Sequence, residues 1–150
     1  MAAYKPTMSY RLIYIFTIHD AQHEGYWKIG KTNFDSVNSY KQLPPNCEEL
    51  NRAAHDRIGQ YTRTAMVEYD LQYTELARRT VTFEDGTTDT ELFDDDDVHN
   101  VLYNSGFSAR KFSNSNQDSE WFEVPLSVAI RAIQAVKEGR TALTTAEKSE

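Results

Sequence analysis

The run Tyr10-Arg11-Leu12-Ile13-Tyr14-Ile15-Phe16-Thr17-Ile18 constrains the fold more than any other part of this chain. Successive side chains of a strand point to opposite faces, and here both sets are rich in apolar and aromatic groups. A strand over 10–18 therefore belongs in the middle of a sheet, covered on both sides. A second strand is expected over 26–31, joined to the first by a polar loop and closed by a turn at Gly30-Lys31-Thr32.

The remaining periodicities set helices around such a sheet. Residues 33–45 are polar and end in Pro44-Pro45, which predicts a loop. Asn46 with Glu49 three residues on reads as a helix start, and the helix should run over 47–61. Its inner face would carry Leu50, Ala53, Ala54, Ile58 and Tyr61. Residues 64–76 alternate as one long strand, and Asp85-Gly86 between β-prone segments predicts a hairpin within 80–93. The acidic run Asp94–Asp97 favours the start of a short helix through the macrodipole, with Val98, Val101 and Leu102 inward and Gly106 ending it. A polar loop over 107–118, a short strand over 120–124 and a last helix opened by Pro125 follow. That helix's stripe is Leu126, Ala129, Ile130, Ile133 and Val136. The order predicts an α+β fold, a small and mostly antiparallel three-stranded central sheet flanked by helices, with a hairpin-like insertion. One domain over 1–140 is expected, with 141–150 a tail or a link to a further domain.

Composition narrows the function. No apolar run approaches the ~20 residues that cross a membrane, so no membrane partner is expected, and residues 1–11 do not read as a secretory signal. The one cysteine, Cys47, excludes an internal disulfide and a cysteine-cluster zinc site. A reducing, cytoplasmic setting is the default expectation. The net charge of −7 counts against non-specific nucleic-acid binding, but the acidity is local. Residues 1–64 carry eight Lys/Arg against six Asp/Glu, whereas residues 65–124 carry four against fourteen. The acidic middle segment either solvates the surface or presents a metal-binding or docking face.

The two strands together resemble the GIY-YIG nuclease superfamily. Ile13-Tyr14 stand where the first signature has Ile-Tyr, and Lys28-Ile29-Gly30 where the second has Tyr-Ile-Gly. A second motif reading Lys-Ile-Gly-x-Thr, as in Lys28–Thr32, is similar to the phage-derived branch. Asp56-Arg57-Ile58-Gly59-Gln60-Tyr61 resembles that family's helix, in which an arginine contacts the phosphate, and Glu120-Trp121-Phe122 resembles the strand closing its core. Asp95 and His99, four apart and hence on one helix face, match an acidic residue and a histidine at this spacing. The resemblance covers residues 12–136 and implies a three-stranded antiparallel sheet and phosphodiester hydrolysis.

On that resemblance the candidate catalytic residues are Tyr14, Lys28, Arg57 and His99, and the candidate metal ligands are Asp95 and Glu120. Asp97 rivals Asp95 should the helix register slip. The residues themselves admit these roles. A strand tyrosine can hydrogen-bond the nucleophile, a desolvated lysine can stabilise phosphate charge, and a carboxylate suits Mg2+ or Mn2+. Arg57 borders the apolar stripe, so it must find a partner or line a cleft. Glu120 either binds metal or pairs with Arg57. The implied partner is DNA, with a larger helicase, restriction or phage-defence protein as the setting. A non-cleaving member that binds nucleic acid or protein through the same cleft is the alternative, since Lys28 replaces the second-motif tyrosine.

Overall fold

The computed structural model describes residues 6–111 and 119–149. The doubly apolar run forms β1 (Met8–Thr17), and it is central. It pairs antiparallel with β2 (Trp27–Ser36) on one side and with β3 (Asp70–Leu76) on the other. A two-residue β6 (Trp121–Phe122) joins the outer edge of β2, giving the order β3-β1-β2-β6. The fold is α+β. Tyr10, Leu12, Tyr14 and Phe16 face one helix, α1 (Glu48–Thr62), through Leu50, Ala54 and Ile58. Ile13, Ile15 and Ile29 face two others, α2 (Asp95–Asn104) and α3 (Leu126–Lys137). Burial on both faces of β1 is what its continuous apolar sequence demands.

A separate two-stranded ribbon, β4 (Arg78–Thr82) and β5 (Thr88–Leu92), carries the chain from β3 to α2. Its turn is the one expected from Asp85-Gly86. Gly86 takes φ +86°, and Asp85 Oδ1 accepts from the Thr87 backbone N–H at 2.9 Å. Gly106, at φ +96°, follows α2 as its sequence position implied.

Several boundaries differ from expectation. β2 does not close at Gly30–Thr32 but continues to Ser36, because Lys31, Thr32 and Asn33 keep pairing with Ile13, Leu12 and Arg11. The strand expected from residue 64 begins only at Asp70. Residues 63–66 instead form a turn after α1 in which Met66 takes φ +54° and the Val67 amide returns to the Thr62 carbonyl at 3.1 Å. Asn46 is not the helix cap, which is Cys47. At φ +64°, Asn46 instead faces the outer edge of β3. Its amide donates to Thr74 O at 2.9 Å and its side-chain oxygen accepts from Thr74 N at 3.0 Å. That satisfies backbone groups which an edge strand would otherwise expose. The expected inward position of Tyr61's side chain, and residues 112–118 of the expected polar loop, lie outside the described residues.

Beyond α3 the described residues form no helix or strand, yet they are packed. Leu143 is buried against the α2–α3 layer and its amide donates to Ser105 Oγ at 2.8 Å. Arg140 grips both oxygens of Glu147, at 2.7 and 2.8 Å.

Candidate functional site

The register of the β1–β2 hairpin places Tyr14 opposite Gly30 and Phe16 opposite Lys28. Directly opposed residues share a face, so Tyr14 and Lys28 lie on adjacent strands on the α1 side of the sheet. The Tyr14 ring lies over Gly30 so closely that a Cβ there would stand 2.6 Å from its Cζ and hydroxyl oxygen. Glycine at 30 is thus the room that the tyrosine occupies. Phe16 continues the aromatic floor, with its ring centroid 5.9 Å from Tyr14 and 5.5 Å from Trp121 in an edge-on contact. Lys28 is largely withdrawn from solvent at the side chain and forms an ion pair with the Glu120 carboxylate, which precedes β6. Glu120 therefore meets Lys28, and not Arg57 as one of the two sequence options had it.

The four acids of Asp94–Asp97 have four different environments. Asp94 accepts from Arg11 of β1 at 2.8 Å and from Lys31 of β2 at 2.5 Å, tying the start of α2 to the sheet. The Lys31 hydrogen bond and the charge of Arg11 hold its carboxyl below the usual carboxylate range. Asp97 turns back to the Asp94 amide at 2.9 Å, completing a capping box. Asp96 projects into solvent. Asp95 alone is buried, at 6% exposure. Burial pushes its carboxyl pKa up, and the neighbouring charge of Glu120 pushes it the same way, while His99 and Lys31 oppose. Asp95, rather than its rival Asp97, is the buried acid of the run, and the charge of Glu120 reaches it.

His99 Nε2 lies 2.8 Å from the Ile29 carbonyl. A carbonyl only accepts, so Nε2 carries the hydrogen and donates it, clamping α2 onto β2. The ring packs tilted against Phe122 with centroids 5.1 Å apart, and Nδ1 faces Asp96 at 3.6 Å. Nε2 is committed to this clamp, and His99 is a positioning group in this geometry.

Arg57 is exposed, with Nη1 donating to Gln60 Oε1 at 2.9 Å. Asn51 and His55 mark the α1 flank facing β3, through bonds of 2.6 Å to Thr74 and to the Tyr69 hydroxyl. At 3.6 residues per turn, Arg57 falls on the opposite flank, toward β2. Tyr14 and Lys28 thus lie on the α1 face, with Glu120 paired to Lys28 beside β6 and Arg57 on the helix above, whereas Asp95 belongs to α2 on the opposite face, where the charge of Glu120 reaches it. Arg11 and Lys31 also belong to this neighbourhood. Sequence reasoning did not single them out, although the alternation that puts Ile13 and Ile29 on the α2 side puts Arg11 and Lys31 there too.

Among the described residues no three His, Cys, Asp or Glu side chains gather to hold a metal ion by themselves. The charges of Asp95 and Glu120 repel each other, and carboxylate oxygens are the donors that a hard cation such as Mg2+ prefers. No helix among the described residues is long and apolar enough to cross a membrane. Comparison of the chain with protein families, with curated proteins and with solved structures found no match.

Proposed function

We propose that this domain binds DNA and hydrolyses its phosphodiester bonds at the β2–β6 side of the sheet, in the manner of the GIY-YIG superfamily it resembles. The observation that carries the reading is the buried Asp95, its carboxyl raised in pKa by burial and by the charge of Glu120, the glutamate that holds Lys28. An acid kept in so unfavourable a place is a mark of a functional site. In this reading Asp95 and Glu120 hold a magnesium or manganese ion. When bound, such an ion supplies charge neutralisation at the phosphate and a more acidic water.

The side chains divide the remaining work. Lys28 offers its ammonium to a phosphate oxygen approaching Glu120. Arg57, exposed and planar, grips two phosphate oxygens from the helix side. Tyr14, fixed over Gly30, orients the attacking water through its hydroxyl. His99 and Asp94 hold the start of α2 on β2. Free Cys47 and the absence of any other cysteine suit a reducing, cytoplasmic setting.

A second reading, binding without cleavage, draws on one specific observation. Lys28 already neutralises Glu120, as a bound cation would. Magnesium-dependent nicking of supercoiled plasmid, set beside DNA binding for the wild type and Arg57→Ala, separates the two. Nicking abolished by Arg57→Ala supports hydrolysis. Binding that weakens in Arg57→Ala with no nicking in either protein supports the second reading. Absence of both binding and nicking overturns the proposal.

A further inference from the structure

At the far edge of the sheet from β6, a cavity of about 420 Å³ opens between the 40–45 loop, the end of β3, the start of β4 and the end of α3. Its deepest polar group is Glu75, at 3% exposure. One Glu75 oxygen accepts from the Tyr73 hydroxyl at 2.6 Å and from Gln134 Nε2 at 2.7 Å, and the other pairs with Lys137. The carboxylate is fully satisfied, and it fixes the Lys137 ammonium at the cavity wall. Burial, and after it donation to Glu75, raise the Tyr73 hydroxyl pKa, so this proton stays in place.

Arg78 differs from the other cations of this cavity. Arg79 is neutralised by Glu91 and donates to the Val136 carbonyl at 3.2 Å. Arg78 has a hydroxyl partner, Thr90 Oγ1 at 3.0 Å, and among the described residues no carboxylate partner. In a chain with 23 acidic and 16 basic residues that leaves the Arg78 charge without a carboxylate in a cavity whose other lining charges are paired, and Lys41 adds a second cation 5.9 Å from the Tyr40 ring centroid. The guanidinium carbon sits over the Tyr40 ring, 3.5 Å from its centroid, and Tyr40 keeps 45% of its surface exposed. Leu43, Pro44 and Leu76 supply an apolar wall beside this stack.

We propose that this cavity is a binding site for a small organic anion with a planar ring, of about the size of a nucleoside monophosphate. The anionic group meets Arg78 and Lys137, and the ring lies against the Tyr40–Arg78 stack and the proline wall. Glu75 repels a second negative charge from the floor and so keeps the anion at the mouth. The site is separate from the proposed nuclease site, and its occupancy does not depend on that reading.

The test is titration of the intact protein with adenosine 5′-monophosphate, followed by isotope-edited NMR and calorimetry. Adenosine and inorganic phosphate serve as half-ligands. The proposal expects saturable shifts confined to residues around Tyr40, Leu76 and Arg78, and an affinity at least ~10-fold above either half-ligand. It also expects a loss of at least ~10-fold in both Arg78→Gln and Tyr40→Leu, each melting as the wild type does. Arg52→Gln, an exposed arginine on α1 paired with Glu48, removes the same charge and should leave affinity unchanged. Shifts located elsewhere, equal binding in well-folded Arg78→Gln, or an equal loss in Arg52→Gln would overturn it. So would binding of inorganic phosphate as tight as that of the nucleotide.

Discussion

Gly30→Ala tests the contact on which the hairpin face is built. A Cβ at this position would lie 2.6 Å from Tyr14 Cζ and hydroxyl oxygen and 2.8 Å from Cε1. Non-bonded carbon contacts are optimal near ~3.5–4.0 Å, so the ring must retreat by about 1 Å. Tyr14 is 3% exposed and packed against Phe16, which leaves it little room to move. Overpacking of this kind costs about 1–3 kcal/mol, partly offset by the ~0.4–1 kcal/mol that a Gly→Ala change contributes through the unfolded chain. The net expectation is a loss of ~1–2 kcal/mol, which for a chain of this length lowers Tm by about 2–8 °C. Urea and thermal unfolding would measure it. Gly59→Ala is the control, because the nearest atoms to its Cβ belong to the flexible Arg63 side chain, the closest at 3.0 Å. Helix propensity should make that change neutral or stabilising by up to ~1 kcal/mol. In a Tyr14→Leu background the Gly30→Ala penalty should shrink by at least about 1 kcal/mol, a coupling that a double-mutant cycle reads directly. An unchanged Tm in Gly30→Ala, or a penalty equal in both backgrounds, would refute the account of this contact.

Three further expectations follow from the charged groups. Glu75→Ala removes the acceptor shared by Tyr73, Gln134 and Lys137 and should cost roughly 2–4 kcal/mol in urea unfolding, since it strands partly buried partners. An unaltered unfolding curve would show the network to be dispensable. Glu147, held by Arg140 and the Thr144 amide, has a pKa lowered from 4.5 to about 2. Its contribution is therefore present above pH 4.5 and is lost as pH falls toward 2, so the Leu143 amide resonance should move through that window in the wild type. Glu147→Gln should abolish the movement, and its persistence there would contradict the assignment. Asp95 has the opposite sign. Its pKa is raised above 3.8, so the unfolded chain loses this proton first and stability falls as pH rises through the raised value. Asp95→Asn should leave Tm at pH 7 unchanged or higher, and any gain should vanish below pH 3.8. A clear drop at pH 7 would make Asp95 a structural residue.

The parts of this fold that the sequence discloses are those where one local signal acts alone. β1 reads as central because no solvated face could carry Leu12, Ile13, Tyr14, Ile15 and Phe16 together. The ribbon reads from Asp85-Gly86, where only a turn uses that pair between β-prone segments. Elsewhere a tertiary partner decides. Asn46 looks like a cap by residue type, but it tolerates positive φ and is drawn to the open edge of β3, 28 residues away. The alternation over 64–69 mimics a strand, yet β1 offers no partners beyond Thr17, where the β1–β3 ladder ends at Asp70. In the candidate site, residue types alone could not say which member of Asp94–Asp97 turns inward. Arg11 and Lys31 capture Asp94, which ties the start of α2 to the sheet and leaves Asp95 as the buried acid of the four. The stacking of Arg78 on Tyr40 is equally invisible, because it joins residues from a loop and a ribbon through no periodic pattern.

The most direct test of the central claim is supercoiled-plasmid nicking in magnesium by the wild-type protein and by Asp95→Asn, at equal concentration and with melting temperatures measured on the same samples. The account predicts magnesium-dependent nicking by the wild type, suppressed by chelation. It predicts at least ~100-fold less nicking by an Asp95→Asn protein that melts no lower at pH 7, equivalent to ~2.7 kcal/mol of lost transition-state stabilisation. Equal nicking by the two proteins, or none by a wild type that is folded, would contradict it.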